Sequence, residues 1–204
     1  MSEANVNSRL EAFCDGVFAI ALTLLIIDIK LPSTLEITST QEFWNALAHI
    51  LPSMLAFLLS FVIILITWVN HHNGLKLAHR SSPAFIYANG LLLLTVVFLP
   101  FPTSLVGEYI LTDHASPAVI LFNAVLAAQA IAWVLISKAA LRANLPKNEK
   151  AAHLTRKNGS YGVYAFILYS SLAVIAIWYP LAVAIITTVT WIFWLILGIM
   201  LKEE

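Results

Sequence analysis

Asp15 and the pair His71–His72 are the residues of this chain best able to carry or exchange charge, and each stands at the edge of a long apolar run. Asp15 belongs to the stretch RLEAFCDGVFAIALTLLIIDIKLP, Arg9 to Pro32, where a polar cluster of Arg9, Glu11 and Asp15 precedes an apolar segment interrupted by Thr23 and Asp28. A carboxylate at the centre of a membrane helix costs roughly 2.5–3.5 kcal/mol, and less towards the interface. Asp15 must therefore lie at the boundary, be satisfied by other helices, or line water. His71 and His72 follow Trp68 in TWVNHHNG, which sets two imidazoles near the depth of Arg9 and Asp15. The chemistry on offer is a polar network tying the second helix to the start of the first, with protonation as a modulator. The plainer alternative is two interfacial histidines in a loop. A metal centre needs more ligands in fixed geometry, and adjacent histidines alone do not supply that spacing. Asn89, inside a third apolar run, can join the same network, since a buried amide in lipid seeks partners worth about 0.6–2 kcal/mol each. For Asn123 and Gln129 the favoured reading is bonding between packed helices.

The elements that must position these groups follow from composition. Of 204 residues, 60% are hydrophobic and only 11% charged, with a mean hydropathy of +0.87. A water-soluble domain has more polar surface than that, so the class is an all-α polytopic membrane protein. Apolar segments are expected at about 12–31, 44–69, 84–106, 116–141, 160–179 and 181–201. They form one six-helix transmembrane domain over residues 1–204, with short polar connections such as NHHNGLKLAHRSS and RANLPKNEKAAHLTRKNG. Pro100 and Pro102 are expected to stop the third helix. The leader MSEANVNSRLE lacks a net positive start and no small-x-small site follows the apolar run, so the first segment is expected to be retained. The single cysteine, Cys14, excludes an intramolecular disulfide.

Charge sets the orientation. With the N-terminus in the cytoplasm, Arg9, Lys76, Arg80, Lys138, Arg142, Lys147, Lys150, Arg156, Lys157 and Lys202 fall inside. Outside lie Lys30, Asp28, Glu36, Glu42, Glu108 and Asp113, so both termini are expected to be cytoplasmic. The basic run Arg142–Lys157 reads as a topology signal that touches anionic lipid; it is too short for nucleic-acid binding to be expected.

On a helical wheel Phe13, Gly16, Ile20, Thr23, Leu24, Ile27 and Leu31 share one stripe, an acidic collar followed by a hydroxyl and branched aliphatics. That stripe is a candidate pore wall. No HExxH, GxSxG or glycine-rich phosphate loop occurs, and no cofactor is expected, so the chain is not read as an enzyme. TVGYG is absent too, which excludes the usual carbonyl filter of potassium channels.

Arg9-x-x-x-Phe13-Cys14-Asp15-Gly16 resembles the RxxxFSDG signature that opens the first helix of the TMEM175 family of potassium channels. Val17 to Leu25, Trp68 with His71-His72, and Leu99-Pro100-Phe101-Pro102-Thr103 also look like family features in order. Cys14 departs from the pattern, standing where the family has serine, and a thiol is the weaker donor. The resemblance implies a homotetramer with the first helix of each subunit around a central pore. It implies hydrophobic rings for selectivity and gating, which map onto Ile20, Thr23, Leu24 and Ile27. It also implies a network in which Arg9 and Asp15, with Phe13, Trp68, His71, His72 and Asn89, hold the pore helix at its cytoplasmic end.

The reading is a potassium-permeable cation channel of the plasma membrane, passing K+ and other monovalent cations and bound by membrane lipid. Outer carboxylates Asp28, Glu36 and Glu42 could concentrate cations, or be ordinary solvated charges. A secondary transporter would need a midplane site with broken helices and internal repeats, neither of which is evident. A structural assembly subunit would use the same stripe only for packing.

Overall fold

Long runs of leucine, isoleucine, valine and alanine without a charge have only one way to satisfy their backbone in lipid, which is to become helices. The computed structural model describes residues 7–30 and 37–200, and in these it is all-helical. The helices are α1 (Ser8–Leu24, extended by a 3-10 turn Leu25–Asp28), α2 (Thr40–Lys76) and α3 (Pro83–Phe98). Then come α4 (Pro100–Tyr109), α5 (Ala115–Arg142), α6 (Glu149–Ile175) and α7 (Pro180–Met200). Leu31, Glu36 and Lys202 lie outside the described residues, as does the side chain of Asp28.

Among the described residues, four spans are long and apolar enough to cross a membrane: Ser8–Ile27, Thr40–Lys76, Pro83–Tyr109 and Ala115–Arg142. A shorter apolar helix covers Pro180–Ile192. The protein is a multi-pass membrane protein of helical rods, six among the described residues when α3 and α4 are taken together.

Three boundaries differ from expectation. Pro100 and Pro102 do not stop the third helix. Leu99 between α3 and α4 keeps helical angles (φ −57°, ψ −35°), and Pro100 takes the first position of α4. A proline there lacks only an N–H that would have no partner anyway, so the helical path continues through it. The second helix does not end near residue 69 but runs to Lys76, placing His71 and His72 on helix instead of in a loop. At 37 residues it is about 55 Å long, well beyond the roughly 30 Å apolar layer. The basic run after α5 is helical as well. Asn148 caps α6 by accepting from the amide of Ala151 at 2.8 Å, so the connection shrinks to residues 143–148.

At its start α2 has a reciprocal cap: Ser39 Oγ accepts from Glu42 N at 3.2 Å, while Glu42 Oε2 accepts from Ser39 N at 3.1 Å and Thr38 N at 2.7 Å. Glu42 is thus a capping carboxylate as well as an outer charge.

α5 lies along α6 and also meets α3, α4 and α7. Small residues set these distances. A Cβ on Gly162 of α6 would lie 2.9 Å from Val134 Cγ2 and 3.1 Å from the Ala130 carbonyl oxygen on α5. A Cβ on Gly107 of α4 would come within 2.6 Å of Ser53 Cα on α2. Buried polar groups cross between rods. Ser60 and Thr103 hydroxyls meet at 2.5 Å, Gln129 donates to Thr67 Oγ1 at 3.2 Å, and Thr187 donates to Asn123 Oδ1 at 3.0 Å. Asn123 and Gln129 therefore bond between helices, as their burial in lipid requires.

One end of the bundle is laced by backbone. Lys147 N donates to Leu77 O and His79 N to Leu145 O, both at 2.9 Å, and Asn7 Nδ2 reaches Ala78 O at 3.3 Å. The start of α1, the α2–α3 turn and the α5–α6 turn thereby share one end, which carries Arg9, Lys76, Arg80, Lys138, Arg142, Lys147 and Lys150. Lys30 and Glu108 pair at 3.5 Å at the opposite end, an exposed contact of little energetic weight.

Candidate functional site

Helix α1 has two unlike faces. Cys14, Phe18, Ala21 and Leu25, spaced by three and four, are at most 2% exposed and join a core with Ile63, Ile64, Val96 and Leu99. Cys14 therefore serves as a small buried apolar group. The opposite face is bare: Phe13 is 62% exposed, Ile20 59%, Leu24 41% and Ile27 70%, with Gly16 and Thr23 also exposed. Thr23 Oγ1 donates back to the carbonyl of Ile20 at 2.9 Å and of Ala19 at 3.2 Å. Spending its proton on the helix leaves the hydroxyl oxygen able to accept from, or coordinate, something outside.

At the base of α1, side chains from α2 hold the helix. Trp68 Nε1 donates to Asp15 Oδ1 at 2.8 Å. One turn on, His72 Nδ1 lies 3.0 Å from Glu11 Oε1, and the Trp68 and His72 rings stack at 5.9 Å and 24°. Glu11 and Asp15 are four residues apart, so both carboxylates point from one face of α1 towards α2. Glu11, Asp15 and His72 turn three ligand-type atoms to within 4.8 Å of one another, a set able to hold a cation.

His71 faces the other way. Asn89 Nδ2 donates to Phe85 O at 2.7 Å, which leaves Oδ1 as the acceptor for His71 Nε2 at 2.8 Å. That assignment places the proton of neutral His71 on Nε2. The ring is buried, with Phe18 of α1 at 5.5 Å and Trp133 of α5 at 6.5 Å between centroids.

Of the residues expected in this network, the structure joins Asp15 to Trp68 and His71 to Asn89, with His72 stacked on Trp68. It does not bring in Phe13, which lies on the bare stripe, nor Arg9, which is exposed and makes no hydrogen bond or ion pair among the described residues. A four-residue step back from Asp15 was the signal for the missed member, Glu11.

The family model described as Endosomal/lysosomal potassium channel TMEM175 matches residues 9–100. A potassium channel of Chamaesiphon minutus is 37% identical over 191 residues, covering 92% of this chain and 94% of that protein. The chain belongs to the TMEM175 family. A potassium channel of Streptomyces collinus is 42% identical over 130 residues, 63% of this chain and 62% of that one. The fold matches the crystal structure of a lysosomal potassium-selective channel TMEM175 homolog from Chamaesiphon minutus, with TM-score 0.82 and 35% identity over 93% of this chain and 96% of that one. TMEM175 is a family of ion channels, not of enzymes. The stretch matched to TMEM175 holds the bare stripe of α1, the Asp15–Trp68 pair, His72 and the His71–Asn89 pair.

Proposed function

We propose that this chain is the subunit of a potassium-permeable cation channel, a symmetric homotetramer with α1 of each copy around a central pore. One observation carries the reading: α1 leaves a stripe of branched aliphatics uncovered while its other face is buried and its base is bonded to α2. A single such helix encloses nothing, so several copies are needed to turn the stripe inward, and the resemblance to the family sets that number at four. Rings of Ile20, Leu24 and Ile27 would form a hydrophobic constriction that can close by expelling water, with Thr23 offering four hydroxyl oxygens between them. The channel relatives support potassium as the main permeant ion.

Asp15, Trp68, His71, His72 and Asn89 act, in this reading, as the anchor that fixes the tilt of α1 at its inner end. Residues 1–204 make one domain crossing the plasma membrane six times. The basic end of the bundle faces the cytoplasm and brings both termini with it. Arg9, free of partners among the described residues, is placed to meet the neighbouring copy.

Purified protein in liposomes tests this. Unitary currents are expected, with a reversal potential displaced towards the potassium equilibrium value under a potassium/sodium gradient. Coupled flux without unitary events would mean a transporter, and neither would mean an assembly subunit. A native mass equal to one chain would remove the pore altogether.

A further inference from the structure

Between the cytoplasm-side ends of α3 and α5 lies an open groove of about 720 Å³, lined by Ser82, Tyr87, Leu91, Leu135, Lys138 and Arg142 among others. Its chemistry is graded along its length. Lys138 and Arg142, one turn apart on α5, bring two cations to one wall, and among the described residues no acidic side chain lines the groove. Arg80 adds a third at the rim by donating to the carbonyl of Ala143, itself a lining residue, at 3.1 Å. The N-terminus of α3, capped by Ser82 and begun by Pro83, forms the facing wall and contributes the positive end of a helix dipole. Deeper along the groove the walls become apolar, with Ala88 and Leu91 on α3 and Leu135 on α5. Tyr87 stands at the side and is exposed.

We infer that this groove binds the phosphate headgroup of an anionic phospholipid, with Lys138, Arg142 and Arg80 on the phosphate and an acyl chain along Leu91 and Leu135. A polar anionic head continuous with an apolar tail is the ligand whose charge pattern matches a cationic mouth and an apolar wall. The groove shares no lining residue with the α1 stripe or its anchor. The inference goes beyond the channel reading and is separable from it, because lipid retention is read on purified protein without any current.

The test is retention of phosphatidylglycerol against phosphatidylcholine by wild-type protein in mixed micelles, measured by native mass spectrometry. Phosphatidylglycerol should be retained in preference. Lys138→Gln and Arg142→Gln should each lower that preference about five-fold, and the pair by more. Lys147→Gln with Lys150→Gln removes two charges from the same end outside the groove and should leave the preference in place. Inorganic phosphate at millimolar concentration should not displace the lipid, since it lacks the apolar half. Equal retention of the two lipids by the wild type overturns the inference, which needs no variant to fold. So does an equal loss from the Lys147/Lys150 variant, which would mean diffuse surface charge. Displacement by inorganic phosphate alone would make the site a phosphate site and not a lipid one.

Discussion

Trp68 and Asp15 meet at 2.8 Å across the α1–α2 contact, the indole N–H given to a carboxylate that is only partly buried. Indole can donate but cannot accept, so this bond has one polarity and survives only while Asp15 stays ionised or keeps an acceptor oxygen turned inward. It ties the start of α1 to α2, the longest helix among the described residues.

Trp68→Phe keeps the ring stacking on His72 but removes the donor. The cost should be about 1–3 kcal/mol, because a half-buried carboxylate loses its partner. Asp15→Ala should cost less in charge burial yet also free Trp68 Nε1. Both variants should lower oligomer yield in size-exclusion chromatography and the thermal midpoint. Unchanged yield, midpoint and conductance in both would make the bond incidental.

Ile20→Asn would place four amides where the proposed pore is narrowest. Conductance or open probability should rise and potassium/sodium discrimination should weaken, as read from reversal potentials. Ile26 shares the exposed arc of α1 with Ile27 and is no clean comparison. Ile167→Asn, equally exposed but on α6, should leave selectivity alone. Equal effects at the two positions would remove α1 from the pore wall.

Thr23→Val deletes the hydroxyl with almost no change of volume. The fold should be kept, since Thr23 Oγ1 bonds only to carbonyls of its own helix that already have helical donors. Single-channel current should fall, or its selectivity shift. A current identical to wild type would mean that the threonine oxygen never meets an ion.

Gly16 and Gly107 should separate function from stability. A Cβ at Gly16 has open space around it, so Gly16→Ala should hold or raise stability by up to about 1 kcal/mol while altering conduction. At Gly107 a Cβ meets Ser53 Cα at 2.6 Å, so Gly107→Ala must push α4 off α2 and should lower the thermal midpoint by several degrees. The reverse pattern would contradict the packing of both helices.

What the sequence determined by itself was the helical class, the number of apolar runs and the stripe Ile20, Thr23, Leu24, Ile27. An uninterrupted apolar run must close its own hydrogen bonds, and a helix sorts its faces by a period of 3.6. It also marked Asp15, Trp68, His71, His72 and Asn89 as groups needing partners, because polar atoms in lipid are costly alone. Which partner each would find was not written there. His71 and His72 are neighbours in the chain, yet they point about 100° apart on a helix. Only the packing of α2 against its neighbours sends His72 to Glu11 on α1 and His71 to Asn89 on α3. The same limit hid the helical nature of residues 70–76 and 149–159, since hydropathy weighs each polar side chain as if it faced lipid. Tertiary packing lets those side chains bond to neighbours or reach water, so the helices run on through them. Pro100 follows the same logic: alone it reads as a terminator, but at the first position of a new helix its missing N–H costs nothing, and the span runs on to Tyr109.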